Sequence, residues 1–203
     1  MSLPRIVASE IIAHRRNTVE ELAATPREHG VEVDIRSIGP DLVIHHDPYV
    51  RALAFETWLE GYAHGTLILN VKEEGLEQRL ETLMAEAGID RWFFLDQSFP
   101  FMLRTARRGE RRCAVRVSEY ESPQTALAVA SMVDWVWVDL FTPRLPDAAT
   151  LIGLAEAGLK LCLVSPELQG RDPEAEVAAL KRHFADHGVA MDAVCTKRAD
   201  LWN

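Results

Sequence analysis

The chain has 203 residues, 48% hydrophobic and 26% charged, which suffices for one sizeable core and shows no compositional break that calls for a second domain. Its 22 Lys plus Arg against 31 Asp plus Glu give a formal charge of -9, which opposes nonspecific binding to nucleic acid or to an anionic membrane. No apolar run approaches the roughly 20 residues of a spanning helix, and Met1 to Ala13, broken by Ser9 and Glu10, reads as neither signal peptide nor anchor, so a cytoplasmic protein without membrane insertion is expected.

In chain order, a first strand ends at Ile11-Ile-Ala-His14, and Asn17 followed by Glu20 reads as a capping box opening a short helix that stops before Pro26. The second strand, Val31 to Arg36, alternates: Val31, Val33 and Ile35 share one face, Glu32 and Asp34 the other. A solvated strand edge is the bland reading of such a pair. Buried, two adjacent carboxylates cost desolvation and repulsion unless a cation compensates, and that marks a site.

Gly39-Pro40 turns the chain, and Leu42 to Ile44 returns as a short extension carrying His45 and His46, with a helix expected at about 51 to 62. Thr66 to Lys72 is the third strand, and Leu76, Leu80, Leu83 and Ala87 recur at helical spacing until Gly88. Further strands follow at Arg91 to Asp96, Cys113 to Ser118, Val133 to Leu140, Leu159 to Val164 and Met191 to Thr196. Ser122-Pro123 and Asp172-Pro173 each offer an N-cap followed by proline at the first helical position.

Eight apolar strands alternating with helices predict an α/β fold with a parallel sheet. Closed on itself, that sheet is a small TIM (β/α)8 barrel with a reduced or missing last helix, in a single domain over residues 1–203; an open doubly wound sheet is the alternative. His14, Glu32, Asp34, Asn70, Lys72, Asp96, Glu119, Asp139 and Glu167 all fall at or just past the C-terminal ends of the predicted strands. In a barrel those ends form the face where catalysis is found.

Laid out this way, the chain resembles the glycerophosphodiester phosphodiesterase family, itself similar to phosphatidylinositol phospholipase C and sphingomyelinase D enzymes with TIM-barrel folds. The marks are Ala13-His14-Arg15, Glu32-Val-Asp34, Ile44-His-His46-Asp47-Pro48, Asn70-Val-Lys72, Ser98-Phe99 and a last strand running into Thr196-Lys-Arg198. The nearest likeness is to compact bacterial members. The resemblance implies a divalent cation, Mg²⁺ or Ca²⁺, held by Glu32, Asp34 and Asn70, with His14 and His46 as an acid/base pair. The chemistry is consistent with that: hard cations take oxygen ligands, and two imidazoles can remove one proton and supply another when a phosphodiester breaks.

Arg15 and Lys72 are expected to grip the phosphate, and Arg116, Glu119 and Glu167 to contact the substrate, a small phosphodiester carrying glycerol or a sugar. Arg116, a charge inside an apolar strand, must in any case be paired. His46 is preferred to His45 because it directly precedes Asp47-Pro48 and because alternation puts the two on opposite sides. Which histidine is base and which acid stays open, as does the oligomeric state.

The chain departs from the family pattern at four places. Asn70 stands where relatives carry an acid; Arg16 replaces a glycine and the Glu before the Asn-Thr pair is missing; the insertion after the His-Asp motif is absent; and Lys197 stands in place of an Asp. Two rival functions follow: a barrel that binds a phosphorylated ligand without turnover, and a phosphomonoesterase or cyclising lyase of the same fold.

Elsewhere the bland readings prevail. Trp135 and Trp137 alternate onto one face and are expected to pack against helices. Arg107 to Arg112 reads as a solvated loop, and Leu163 to Arg171 as a polar segment with a phosphate or sugar contact. Cys113, Cys162 and Cys195, odd in number and each in an apolar run, read as buried reduced thiols.

Overall fold

The structure, a computed structural model, describes residues 8–203. Residues 1–7 of the stretch read as neither signal peptide nor anchor lie outside the described residues. Among the described residues no helix is long and apolar enough to cross a membrane. Contacts divide the chain into two compact units, residues 13–113 and residues 8–12 with 114–203.

Strand β1 (Ile11–Ala13) runs directly into His14. Helix α1 (Val19–Ala24) starts one residue later than its capping signal suggests: Thr18 accepts the Glu21 N–H, and Glu21 accepts the Thr18 N–H. Asn17 is not the cap because its amide is engaged by a residue of the next strand. That strand, β2 (Gly30–Ile38), places Val31, Val33 and Ile35 fully buried on one face, with Glu32 and Asp34 fully buried on the other.

β3 (Asp41–Ile44) folds back antiparallel on β2, with Ile35 opposite Ile44, and β4 (Leu53–Ala54) pairs antiparallel with β3. Pairing of Leu53 and Ala54 to β3 uses the residues with which the expected helix would have begun, so α2 is only Phe55–Leu59. β5 (Leu67–Val71) lies parallel to β2 and is followed by α3 (Glu77–Glu86), β6 (Trp92–Leu95) and α4 (Phe99–Arg107). The sheet order in this unit is β4-β3-β2-β5-β6, antiparallel at the hairpin and parallel beyond it. Its core is closed by Phe55, Trp58, Phe93 and Phe94, all with no exposed surface, each stabilising by roughly 1.5–3 kcal/mol through burial.

The other unit alternates β7 (Ala114–Val117), α5 (Pro123–Val129), β8 (Trp135–Val138), α6 (Ala148–Glu156), β9 (Lys160–Val164), α7 (Pro173–His187) and β10 (Ala193–Thr196). Its four strands pair parallel in the order β7-β8-β9-β10. Ser122 and Asp172 cap α5 and α7 through the predicted Ser-Pro and Asp-Pro signals. α7 buries Val177, Leu180 and Phe184 at helical spacing and stops at Gly188 in the left-handed region. The reduced last helix is α8 (Ala199–Trp202), anchored by the Trp202 indole N–H donating to Ser165 Oγ at 2.9 Å. Trp135 and Trp137 are buried, and the three cysteines are buried free thiols.

Candidate functional site

Parallel register between β2 and β5 sets Asp34 beside Asn70, so the acidic stripe of one strand meets the polar end of the next. Asn70 Nδ2 donates to Glu32 Oε1 at 2.7 Å. Glu32 Oε2 accepts the Arg15 main-chain N–H at 2.6 Å and lies 3.8 Å from His14 Nε2. Burial, then repulsion from Asp34, push the Glu32 carboxyl up to about 7, against the opposing pull of Asn70, Lys72 and the Arg15 amide.

Asp34 stays among cations. Its Oδ2 is 3.1 Å from Arg15 Nε and its Oδ1 is 3.2 Å from Lys72 Nζ, which in turn reaches Asp96 Oδ2 at 3.1 Å. Asn17 completes the set with two bonds to one residue: Nδ2 donates to Asp34 Oδ2 at 2.8 Å, and Oδ1 accepts the Asp34 main-chain N–H at 3.0 Å. The buried Asp34 carboxylate thereby has a cation at each oxygen and a hydrogen bond from Asn17.

Arg15 and Asp96 adopt left-handed backbone, φ 51° and 60°, at a cost of roughly 1–2 kcal/mol for a residue with a side chain. Around Arg15 the turn is pinned by its own N–H to Glu32, by Arg16 N–H to the Glu32 carbonyl at 2.8 Å, and by the Trp58 indole N–H to the Arg16 carbonyl at 2.8 Å. Such strain, held by surrounding bonds, aims the guanidinium at Asp34.

His46 sits past the end of β3 with 46% of its side chain exposed. Its Nδ1 is 2.8 Å from Asp47 Oδ1, and this bond holds the Asp47 carboxyl below the usual carboxylate range. In the neutral tautomer that donates Nδ1–H to Asp47, the lone pair lies on Nε2. His45 is turned into its own loop, where Nδ1 accepts the Asp47 N–H at 2.9 Å. Arg15, Asn17, His45, His46 and Asp47 line a groove of about 840 Å³.

The structure therefore gathers His14, Arg15, Glu32, Asp34, Asn70 and Lys72 into one polar cluster, with His46 lining a groove that Arg15 shares. The three remaining predicted residues belong to the other unit. There Arg116 Nη1 pairs with Asp139 Oδ2 at 2.7 Å, and Asp139 is raised by burial despite Arg116. Glu119 accepts the N–H groups of Phe141 and Thr142 and the Thr142 hydroxyl. Glu167 accepts from the Ser165 and Thr196 hydroxyls and from the Lys197 N–H; burial alone would raise it, and these bonds leave it lowered. In the polar segment 163–171, Arg171 pairs with Glu176 and donates to the Leu140 carbonyl.

The sequence does not mark Asn17, Trp58 or Arg36 as part of the site, and Asn17 reads there as a helix cap. Arg36 alone carried a signal, since alternation puts it on the face of Glu32 and Asp34.

The donor chemistry bears on whether a hard divalent cation fits. Among the described residues no trio of His, Cys, Asp or Glu is placed to hold a metal ion. Two fully buried carboxylates and an amide are, however, at hand, and Asn70 Oδ1 is buried and accepts no hydrogen bond. An oxygen without a partner beside a carboxyl raised by burial and by its acidic neighbour fits a cation with oxygen ligands.

No protein-family model matches the sequence, and no curated protein does. Solved structures do match the fold. A glycerophosphodiester phosphodiesterase from Agrobacterium tumefaciens superposes with a TM-score of 0.70 at 16% identity, covering 96% of this chain and 98% of the other. A glycerophosphoryl diester phosphodiesterase from Parabacteroides distasonis gives 0.66 at 14% identity, covering 98% of this chain and 86% of that one. The α/β fold with its mixed sheet is thus shared with these proteins over nearly the whole chain.

Proposed function

We propose that the chain is a phosphodiester hydrolase acting on a small phosphodiester with a glycerol or sugar substituent. The observation that carries this reading is the arrangement of His14, Arg15 and Lys72 around the buried Glu32 and Asp34 carboxylates, in a fold shared with glycerophosphodiester phosphodiesterases.

Arg15 and Lys72 offer positive charge to the nonbridging oxygens of the substrate phosphate. His46, its Nδ1 oriented by Asp47, presents Nε2 to the groove; His14 stands beside Glu32 Oε2. Between them the two imidazoles take a proton from the attacking water and give one to the departing alkoxide; proton exchange with solvent after product release restores both. Glu32, Asp34 and Asn70 would hold Mg²⁺ or Ca²⁺, which when bound neutralises charge developing on the phosphate oxygens.

The test is turnover of glycerophosphodiesters and bis(p-nitrophenyl) phosphate with Mg²⁺, Ca²⁺ or EDTA, comparing the parent with His14→Ala and His46→Ala. Each variant is expected to lose about 10²-fold or more in kcat, and ³¹P NMR should show a phosphomonoester product. A cyclic phosphate product would instead make the protein a lyase, and activity surviving both substitutions would remove the mechanism.

A further inference from the structure

Arg36 follows Glu32 and Asp34 on the same stripe of β2, and its guanidinium engages the main chain of two neighbouring segments and Glu73. Only 17% of the side chain is exposed. Nε donates to the His46 carbonyl at 2.9 Å and Nη1 to the Lys72 carbonyl at 3.2 Å. Glu73 Oε2, at 3.7 Å from Nη1, is its counter-charge, and Glu73 Oε1 in turn accepts the Ser37 N–H at 2.7 Å and the Ser37 hydroxyl.

The two carbonyls belong to segments at or past the ends of the sheet's ladders. The β2–β3 ladder runs from Ile38 and Asp41 to Ile35 and Ile44, so His46 lies two residues past its end. The β2–β5 ladder ends at Ile35 and Val71, leaving only the Lys72 N–H bonded to the Ile35 carbonyl at 3.0 Å. A planar guanidinium can donate to two carbonyls at once in a fixed fork, which a lysine ammonium cannot reproduce.

We propose that Arg36 is a positioning residue for the phosphodiester site: by bridging the main chain of His46 and of Lys72 it fixes the imidazole and the ammonium relative to each other. The inference rests on the hydrolase reading above for the role of those two groups. A displacement of about 1 Å in a catalytic group costs on the order of 10²-fold in rate, so loss of the bridge acts on kcat through His46 and the Lys72 charge, while Arg15, which Arg36 does not touch, stays in place to bind the phosphate.

The experiment compares the parent with Arg36→Met and Arg36→Lys by amide hydrogen exchange and by kcat and KM for bis(p-nitrophenyl) phosphate, with His46→Ala alongside. In Arg36→Met, exchange at residues 45–47 and 72–74 should quicken about tenfold or more, with 67–69 in β5 unchanged. The same variant should lose about 10–100-fold in kcat with KM within about threefold, and Arg36→Lys should recover only part of either effect. Unchanged exchange at both segments overturns the proposal, as does full kcat with both segments loosened. Should Arg36→Met not fold, Arg36→Lys carries the same comparison, with one segment loosened for the lost second donor. Because exchange needs no turnover, a His46→Ala variant as active as the parent would overturn the hydrolase reading while exchange still decided whether Arg36 holds the two segments.

Discussion

Replacing Glu32 by Gln removes a buried carboxyl whose ionisation the fold opposes. Burial and repulsion from Asp34 push the group up to about 7 from an ordinary value of 4.5. Between those pH values the folded state holds more protons than the unfolded state, so stability falls as pH rises from 4.5 through 7. The difference between 7 and 4.5, at about 1.36 kcal/mol for each pH unit, corresponds to a loss of about 3 kcal/mol. That loss is complete above the folded value and absent below the unfolded one. The glutamine amide introduced there can keep the local bonds: its oxygen accepts the Arg15 N–H, and its NH₂ group faces an Asn70 turned to present Oδ1.

Urea unfolding in EDTA should therefore find Glu32→Gln gaining on the parent by about 3 kcal/mol between roughly pH 4 and pH 8.5. Groups common to both proteins cancel in that difference. Added Ca²⁺ should stabilise the parent more at the higher pH, where the cation no longer competes with a proton, and should do little for the variant. A parent-to-variant difference that stays constant with pH would refute the account of a strained carboxyl.

Asn70→Asp introduces a third acid and is expected to bind Ca²⁺ about tenfold more tightly by calorimetry, while destabilising the cation-free protein by about 2 kcal/mol or more at pH 8. Asn17→Ala leaves the Asp34 N–H unsatisfied and should lower the urea midpoint by the equivalent of about 2–3 kcal/mol with an unchanged m-value. Glu167→Gln should cost about 1–2 kcal/mol at pH 7. Because the Glu167 carboxyl is lowered, its contribution is present above the unfolded value and lost as pH falls through the folded one, so the deficit should vanish in acid denaturation series.

Local periodicity made much of this legible. Alternation over Val31 to Arg36 identified both the apolar face and the acidic face of β2, and Ser122-Pro123 and Asp172-Pro173 marked two helix starts to the residue. Contacts distant along the chain were not legible. Asn17 looked like a cap because its partner, Asp34, lies 17 residues on; Thr18 then took the cap by default. The segment after Pro48 read as helix because nothing local shows that Leu53 and Ala54 pair with β3. Arg116 had to have a partner, but only the register of β7 on β8 supplies Asp139.

Lys72 wedged between Asp34 and Asp96, with Arg15 on the far oxygen of Asp34, leaves the pocket with a definite electroneutrality condition. Two fixed cations and the anions of Asp34 and Asp96 cancel when Glu32 keeps its proton. An incoming phosphodiester anion adds negative charge beside carboxylates that already engage Arg15 and Lys72, and Coulomb repulsion weakens its capture unless positive charge arrives with it. Anion capture is then favoured by the arrival of compensating positive charge, and where Glu32 or an imidazole supplies it by taking up a proton, that proton comes from the buffer. The enthalpy of capture would accordingly track the ionisation heat of whichever buffer is chosen.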